Sequence, residues 1–402
     1  MLNNYLVIFL NAMHFMDRVW KSDDEHQRCP FVYLQRSMAT ENINNSRLRK
    51  CRVPAFIVIL LCAMYFSVNG QVGGDHAYSF LNLSTSARVS ALGGSLIPAS
   101  QGDLALAYDN PAILNEQMDG QVTFQHQFLA AGIQSGYAGF GKWFDTKKLI
   151  THVGFKYILY GDFNRADEFG NPLGQFKGSE VAINMGIGYM LYDKLRIGGN
   201  IKLINSTLDV YRSAGLAFDL GAIYTDTSHL VSFGISLKNS GFQLSRYDEV
   251  RESLPVDLQI GVVKRLRYLP FQLSIIYHHF NRWNLLYDNP SGDENNFFLG
   301  FQQMDTESSE FDNFFRHLIF GGELFLGKHE VFSIRLGYNH QRKQELTVTN
   351  LRTLTGFSGG FGLSLKKFRF AYSFSKIHFG ATTHHLGLTT NIKSFTGTGV
   401  LN

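Results

Sequence analysis

Two serine–lysine pairs, Ser364 with Lys367 and Ser373 with Lys376, have the Ser-x-x-Lys spacing. On a helix that spacing sets a lysine one turn from a serine nucleophile, as in penicillin-binding enzymes. Here both tetrads lie in alternating, strand-like sequence, where residues three apart point to opposite faces. The companion Ser-Asp-Asn and Lys-Thr-Gly elements do not occur. Paired histidines, His278-His279 and His384-His385, suggest a metal, but adjacent strand residues diverge, so each pair offers at most one ligand to a given site. They read as rim or lumen histidines. The chain has no His-Glu-x-x-His, no glycine-rich phosphate loop ending in Lys-Ser/Thr and no Cys-x-x-Cys. No catalytic set, metal site or cofactor site assembles, and the expectation is a protein that is not an enzyme.

The elements that would have to position such residues are strands. The 402 residues include 39 glycines, 35 phenylalanines and 18 tyrosines but only 8 prolines, and 17% are charged. Soluble domains carry roughly 25% charged residues. A mean hydropathy of −0.08 excludes a polytopic helical membrane protein. It suits a barrel in which lipid-facing apolar residues alternate with polar lumen residues. A dispersed net charge of +4 argues against a nucleic-acid partner. All three cysteines, Cys29, Cys51 and Cys62, fall in the first 62 residues, so the rest of the chain has no thiol chemistry.

A targeting signal begins internally. Arg47, Arg49, Lys50 and Arg52 precede the apolar run Pro54 to Phe66, which is too short for a comfortable membrane span. Val68-Asn69-Gly70 then supplies modest or small residues, placing cleavage between Gly70 and Gln71. The chain therefore divides into an extension over 1–46, which a start at Met38 would explain, and a signal peptide over 47–70. An amino-terminal plug-like segment over 71–118, a barrel over 119–395 and a tail over 396–402 follow. Export would deliver the mature chain to the outer membrane. Ile59, Leu60 and Leu61 before Cys62 lack the small residue that lipoprotein processing needs.

From Gly120 onward a period of two dominates. Val153, Phe155, Tyr157 and Leu159 alternate with His152, Gly154 and Lys156; Phe332, Ile334, Leu336 and Tyr338 alternate with Ser333, Arg335 and Asn339. Phe368, Phe370, Tyr372 and Phe374 do the same against Arg369, Ala371, Ser373 and Ser375. Fourteen such strands are expected, near 120–130, 132–143, 149–160, 178–190, 194–206, 211–225, 229–240, 253–266, 270–280, 314–326, 330–341, 355–366, 368–377 and 383–393. An even number allows antiparallel closure. Short turns alternate with longer loops at 161–177, 241–252, 281–312 and 341–354, as the two rims of such a barrel require. The 281–312 loop combines acidic residues with Trp283, Tyr287, Phe297 and Phe298, and is the candidate partner-contact loop. Before the barrel, residues 78–118 are alanine- and leucine-rich and predict short helical turns packed inside or beneath it. Asn110-Pro111-Ala112 reads both as a turn and as a plug element sealing the lumen.

Tyr78-Ser79-Phe80-Leu81-Asn82-Leu83, with Ser86-Ala87-Arg88 and Ala91-Leu92-Gly93-Gly94, resembles the start of PorQ-family proteins of the Bacteroidetes type IX secretion system. Asn110-Pro111-Ala112-Ile113-Leu114 is similar to an element shared by that group and the wider FadL-like barrels. Tyr160-Gly161-Asp162-Phe163, Arg316-His317-Leu318, Phe320-Gly321-Gly322-Glu323 and Gly337-Tyr338-Asn339 extend the resemblance across 75–395. It implies an all-β FadL-like transmembrane barrel of fourteen strands within a cell-surface attachment complex. There it would anchor a surface protein of PorZ type beside a PorV-type barrel and a PorU-type sortase, which couples cargo to lipopolysaccharide. The wider class implies the alternative, transport of hydrophobic small molecules. One departure is the ending, seven residues past Phe395, where barrels of this kind often end on an aromatic residue.

Overall fold

The computed structural model describes residues 76–98, 102–145, 148–169, 171–285, 310–346, 354–378 and 381–395. The extension, the signal peptide with its Gly70–Gln71 bond, the tail 396–402, and Tyr287, Phe297 and Phe298 lie outside the described residues.

Fourteen strands form one closed antiparallel barrel. In chain order they are β1 (Gln121–Phe128), β2 (Gln134–Phe144), β3 (Leu149–Ala166), β4 (Pro172–Tyr192), β5 (Leu195–Leu208), β6 (Tyr211–Asp226) and β7 (Val231–Ser245). After these come β8 (Asp257–Arg265), β9 (Phe271–Tyr277), β10 (Leu318–Leu326), β11 (Phe332–Asn339), β12 (Phe357–Ser364), β13 (Phe368–His378) and β14 (Ala381–Asn391). β1 closes on β14 in continuous register from Gln121↔Asn391 to Phe128↔His384. Closure satisfies the backbone hydrogen bonds of every strand, which a lipid environment demands.

Side-chain alternation sorts the two faces. Along β3, Val153, Phe155 and Leu159 are exposed on the outside while His152 and Lys156 are buried inside. Ile183, Met185 and Ile187 of β4, Ile201 and Leu203 of β5, and Ile275 of β9 continue the exposed apolar belt. An apolar surface this extensive on a water-facing monomer would be a liability. On a barrel with a polar interior it is the lipid-facing wall. No described helix is long and apolar enough to cross a membrane.

The rims are unequal. The chain enters β1 and leaves β14 at a rim with turns such as 193–194, 227–230 and 365–367, whereas the strands that meet at the opposite rim are joined through connections as long as 246–256, 278–317 and 340–356. The expected loop at 161–177 is instead mostly strand: β3 and β4 continue as a hairpin with Asp162↔Lys177 and Asn164↔Gln175 paired. Phe163 and Phe176 stack 5.2 Å apart across it. At its tip Asp167 Oδ1 accepts the N–H of Phe169 at 2.9 Å and of Asn171 at 2.8 Å. Polar residues on both faces hid this hairpin from a reading based on alternation. Expected strand or loop also becomes helix at α2 (Glu310–Arg316), just before β10, and at α3 (His340–Leu346), just after β11.

The described residues of 76–118 lie in the lumen, one of the two places that the sequence allowed, and form short helical turns. These are 3-10 turns at Ser79–Asn82, Leu104–Tyr108, Pro111–Ile113 and Glu116–Met118, and one α-helical turn, α1 (Ala87–Ala91). Ser86, Asp103, Asn110 and Asn115 each cap one by accepting the N–H two residues on. Turns this short are not stable alone; the wall must hold them. The segment enters at the loop rim, where Ala77 N–H donates to Ser253 O at 3.0 Å, and leaves at the other, where Gly120 N–H donates to Gly141 O at 2.9 Å.

Candidate functional site

The plug–wall interface is where this molecule concentrates its buried chemistry. Ion pairs run through it and stand directly behind it. Arg88 of α1 reaches Glu323 of β10 at 2.6 Å, and Arg335 of β11 reaches the other carboxylate oxygen at 2.6 Å. Lys238 of β7 lies 3.4 Å from Asp109 of the plug. Lys202 of β5 meets Asp219 of β6 at 2.8 Å and stands 3.9 Å from the centroid of the plug's Tyr108 ring. Lys156 of β3 approaches the same ring at 4.5 Å and donates to Leu81 O at 3.0 Å and Leu83 O at 2.5 Å. Tyr108 therefore sits between two ammonium groups, whose positive charge its π-face favours. Isolated charges could not be buried here; pairing and hydrogen bonding make these tolerable.

Neutral contacts complete the interface. Asn200 donates to Ala107 O at 2.9 Å and Tyr108 O at 3.2 Å, and Ser236 donates to Asp109 O at 2.7 Å. Lumen glycines let the plug backbone approach. A Cβ on Gly198 would stand 2.5 Å from Pro111 C, and one on Gly141 would stand 2.7 Å from Met118 O. Within the plug, Leu104, Leu106, Ile113, Leu114 and Met118 form an apolar cluster. Wall residues Ile150, Ile223 and Val263 pack into the same cluster, and Ile97 packs on Ile276 and Ile319, so the seat combines apolar and polar contacts.

Asn110, Pro111 and Ala112 form a turn within the plug. Asn110 caps the turn that begins at Pro111, and its amide also donates to Ile97 O at 3.2 Å, tying two parts of the plug together. Of the candidate partner residues, Trp283 is described and exposed at the loop rim. His317 stacks on Tyr277 at 4.8 Å and on Trp283 at 5.8 Å, with its ring nitrogens 2.9 and 3.0 Å from the carbonyl oxygens of His278 and Trp283. Nearby, α2 and α3 are clipped together: His340 and Arg316 lie 2.9 and 2.8 Å from the Asp312 carboxylate. Partial burial would raise the Asp312 pKa, but these two hydrogen bonds and charges outweigh it and hold the carboxyl below its usual range.

The chemistry considered from sequence comes apart in space. Ser373 points into the lumen while Lys376 faces outward, and Ser364 ends β12 with Lys367 in the turn beyond. His384 is outward and His385 inward, as adjacency predicted. His278 and His279 do not diverge: they lie just past β9, where His279 takes a positive φ of 54°, and their rings meet with centroids 4.6 Å apart. Among the described residues no three histidines, cysteines or carboxylates form a metal cluster. Against the expectation that no nucleophile elbow occurs, Gly356-Phe357-Ser358-Gly359-Gly360 has that spacing. Ser358 sits inside β12 rather than on a strand-to-helix turn, and its hydroxyl donates to Ala91 O at 2.9 Å, another plug contact.

Fold and site together define a transmembrane β-barrel of fourteen strands with its own amino-terminal segment seated in the lumen. No family model matches the sequence, and no curated protein matches it. Among solved structures, the chain is similar to the Pseudomonas putida toluene transporter TodX, with 11% identity over 76% of this chain and 96% of that one and a TM-score of 0.47. The CymD monoaromatic hydrocarbon channel shares 14% identity over 78% and 97%, with a TM-score of 0.47. A Pseudomonas aeruginosa FadL homologue shares 10% over 77% and 98%, with a TM-score of 0.42. Likeness at this level transfers no residue roles and carries no argument about what this chain does.

Proposed function

We propose that this protein is a plug-gated outer-membrane barrel that admits hydrophobic small molecules. The observation that carries the reading is the polar part of the plug's seat. An interface built of ion pairs and hydrogen bonds, such as Arg88–Glu323–Arg335 and Asn200 to the Ala107 and Tyr108 carbonyls, can be exchanged for contacts with water. Apolar plug residues such as Leu104, Leu106 and Ile113, part of whose cluster packs on Ile150, Ile223 and Val263 of the wall, offer cargo a non-polar surface once the plug shifts. The test is a reversible tether. A Cβ on Gly234 would stand 3.0 Å from Pro98 Cβ, close to disulfide reach, and the barrel has no other cysteine. Pro98→Cys with Gly234→Cys should block uptake of a hydrophobic probe by whole cells, and reduction should restore it. Equal uptake with and without the disulfide contradicts gating.

A second reading, anchoring of a PorZ-type surface protein alongside PorU- and PorV-type partners, draws on a different feature. The 161–177 hairpin extends past the β5–β6 turn, where Arg165 pairs with Asp209, and displays Phe169 at 83% exposure on a tip fixed by Asp167. Rigidly displayed aromatics are the usual centres of protein interfaces. A gentle-detergent pull-down should lose the surface partner when 161–177 is cut to an Asn-Gly turn. Unchanged recovery removes the hairpin from consideration, and cargo retained at the surface after gene deletion removes the secretion role.

A further inference from the structure

The outer wall carries a hollow beside the seam of β1 and β14. β2 turns only Gly136 and Ala138 outward here, between the bulky outward residues of β1 (Phe124, His126) and β3 (Phe155, Tyr157). The hollow has a volume of about 540 Å³ and an apolar lining that includes Phe124, Ala138, Phe361, Phe370, Leu386 and Leu388. It is continuous with the lipid-facing belt, so its occupant comes from the bilayer.

Its edge nearer the loop rim is polar. The Tyr157 ring lies across Gly136, where a Cβ would meet it at 2.5 Å, and so reaches over β2 to His126 on β1, Oη to Nδ1 2.9 Å. On the other flank Tyr372 of β13 makes the same pairing with His384 of β14 at 2.8 Å. Pairings Tyr157↔Gly136↔His126↔Leu386↔Tyr372 run across neighbouring strands, so these groups form one line around the wall. Lys376 follows on the outward face of β13, farther toward the loop rim. Imidazoles on a lipid-facing wall are costly in hydrocarbon and belong at the boundary with headgroups, where tyrosine is also favoured. An apolar slot below that boundary and hydrogen-bonding and cationic groups along it fit a chain with a phosphorylated, hydroxylated head.

We propose that this hollow binds one acyl chain of a phosphorylated glycolipid of the outer leaflet, of lipid A chemistry. His126, His384 and Lys376 face its headgroup. The glycine and alanine floor and the histidine-pinned tyrosines make it a preformed slot, distinct from the rest of the belt. The assignment rests on the loop rim facing outward, which thiol labelling of Phe169→Cys in intact cells tests separately. The full chain, purified in mild detergent, is mixed with lipid A or with phosphatidylethanolamine and read by native mass spectrometry. Wild type should keep one lipid A under conditions that strip phosphatidylethanolamine. Ala138→Trp, which fills the slot with an equally lipophilic side chain, should lower retention at least tenfold, and His384→Leu should lower it less. Barrel folding is followed by migration on unboiled gels, with Ala138→Leu as the milder variant if tryptophan prevents assembly. Equal retention by a folded Ala138 variant overturns the site, and equal retention of both lipids overturns the glycolipid assignment.

Discussion

The two sides of this cylinder are built differently. Strands β3 to β7 run 14 to 21 residues, while β8 to β12 run only 7 to 9. The tall side rises past the loop rim and supports itself by strand pairing. The short side carries α2 and α3 at that rim. The two sides also hold the plug differently. On the short side the charge is concentrated on one carboxylate, Glu323, which bridges a plug arginine and a wall arginine, while Gln259, Asn339 and Ser358 add neutral hydrogen bonds to the plug. The tall side spreads its hold over Lys156, Asn200, Lys202, Ser236 and Lys238, several of which donate to plug carbonyls. A concentrated staple should be brittle and a distributed one forgiving.

The largest expected effect follows on the short side. Glu323→Ala leaves Arg88 and Arg335 facing each other across a buried gap, and should cost about 3–5 kcal/mol in detergent-based unfolding. A loss below that of any tall-side variant would break the comparison. Next comes the lipid-facing belt, which should not distinguish the sides. Ile275→Arg on β9 and Ile201→Arg on β5 should each cost about 2–4 kcal/mol if near the midplane, as should Phe370→Arg, while Ala371→Ser on the lumen face costs far less. Equal costs at Phe370 and Ala371 would argue for a water-soluble sheet. Lys156→Met on the tall side removes two hydrogen bonds to carbonyls without stranding a charge, and should cost about 1–3 kcal/mol.

The rim clip supplies a pH test. The folded-state pKa of Asp312 is depressed, so its contribution is present above the ordinary carboxylate range and lost as pH falls through the depressed value. Protease access to the α2–α3 region should rise on acidification in wild type and be high at every pH in Asp312→Asn. A flat wild-type profile would separate the clip from Asp312. The smallest effect belongs to the tall side: replacing 161–177 with a two-residue turn should change stability by no more than about 1 kcal/mol, because the ion pair it loses, Arg165–Asp209, is a partly exposed one.

Much of the wall could be read from period-two patterning. The inward and outward sets of β3, β11 and β13 are the ones the sequence alternation assigns, since a strand buried on one side and in lipid on the other must alternate. The 161–177 hairpin escaped because its faces carry polar residues, and α2 escaped because its residues were divided between the expected 281–312 loop and the following strand. The plug was visible as a change of composition, yet its partners were not. Nothing in the local sequence of Lys156, Lys202 or Glu323 says which lumen charge meets the plug, since that depends on barrel register and on where the plug's turns fall. The glycines at 141 and 198 were a usable signal: small residues at inward positions mark where another backbone passes.

The central claim is that residues 76–118 seal the lumen through a seat that can be reopened. Planar-bilayer recording of the purified full chain tests it most directly. The seated plug predicts no steady open level for wild type, and steady conductance for a barrel lacking 76–118 that still assembles. A constant, porin-like conductance from the intact protein would contradict it.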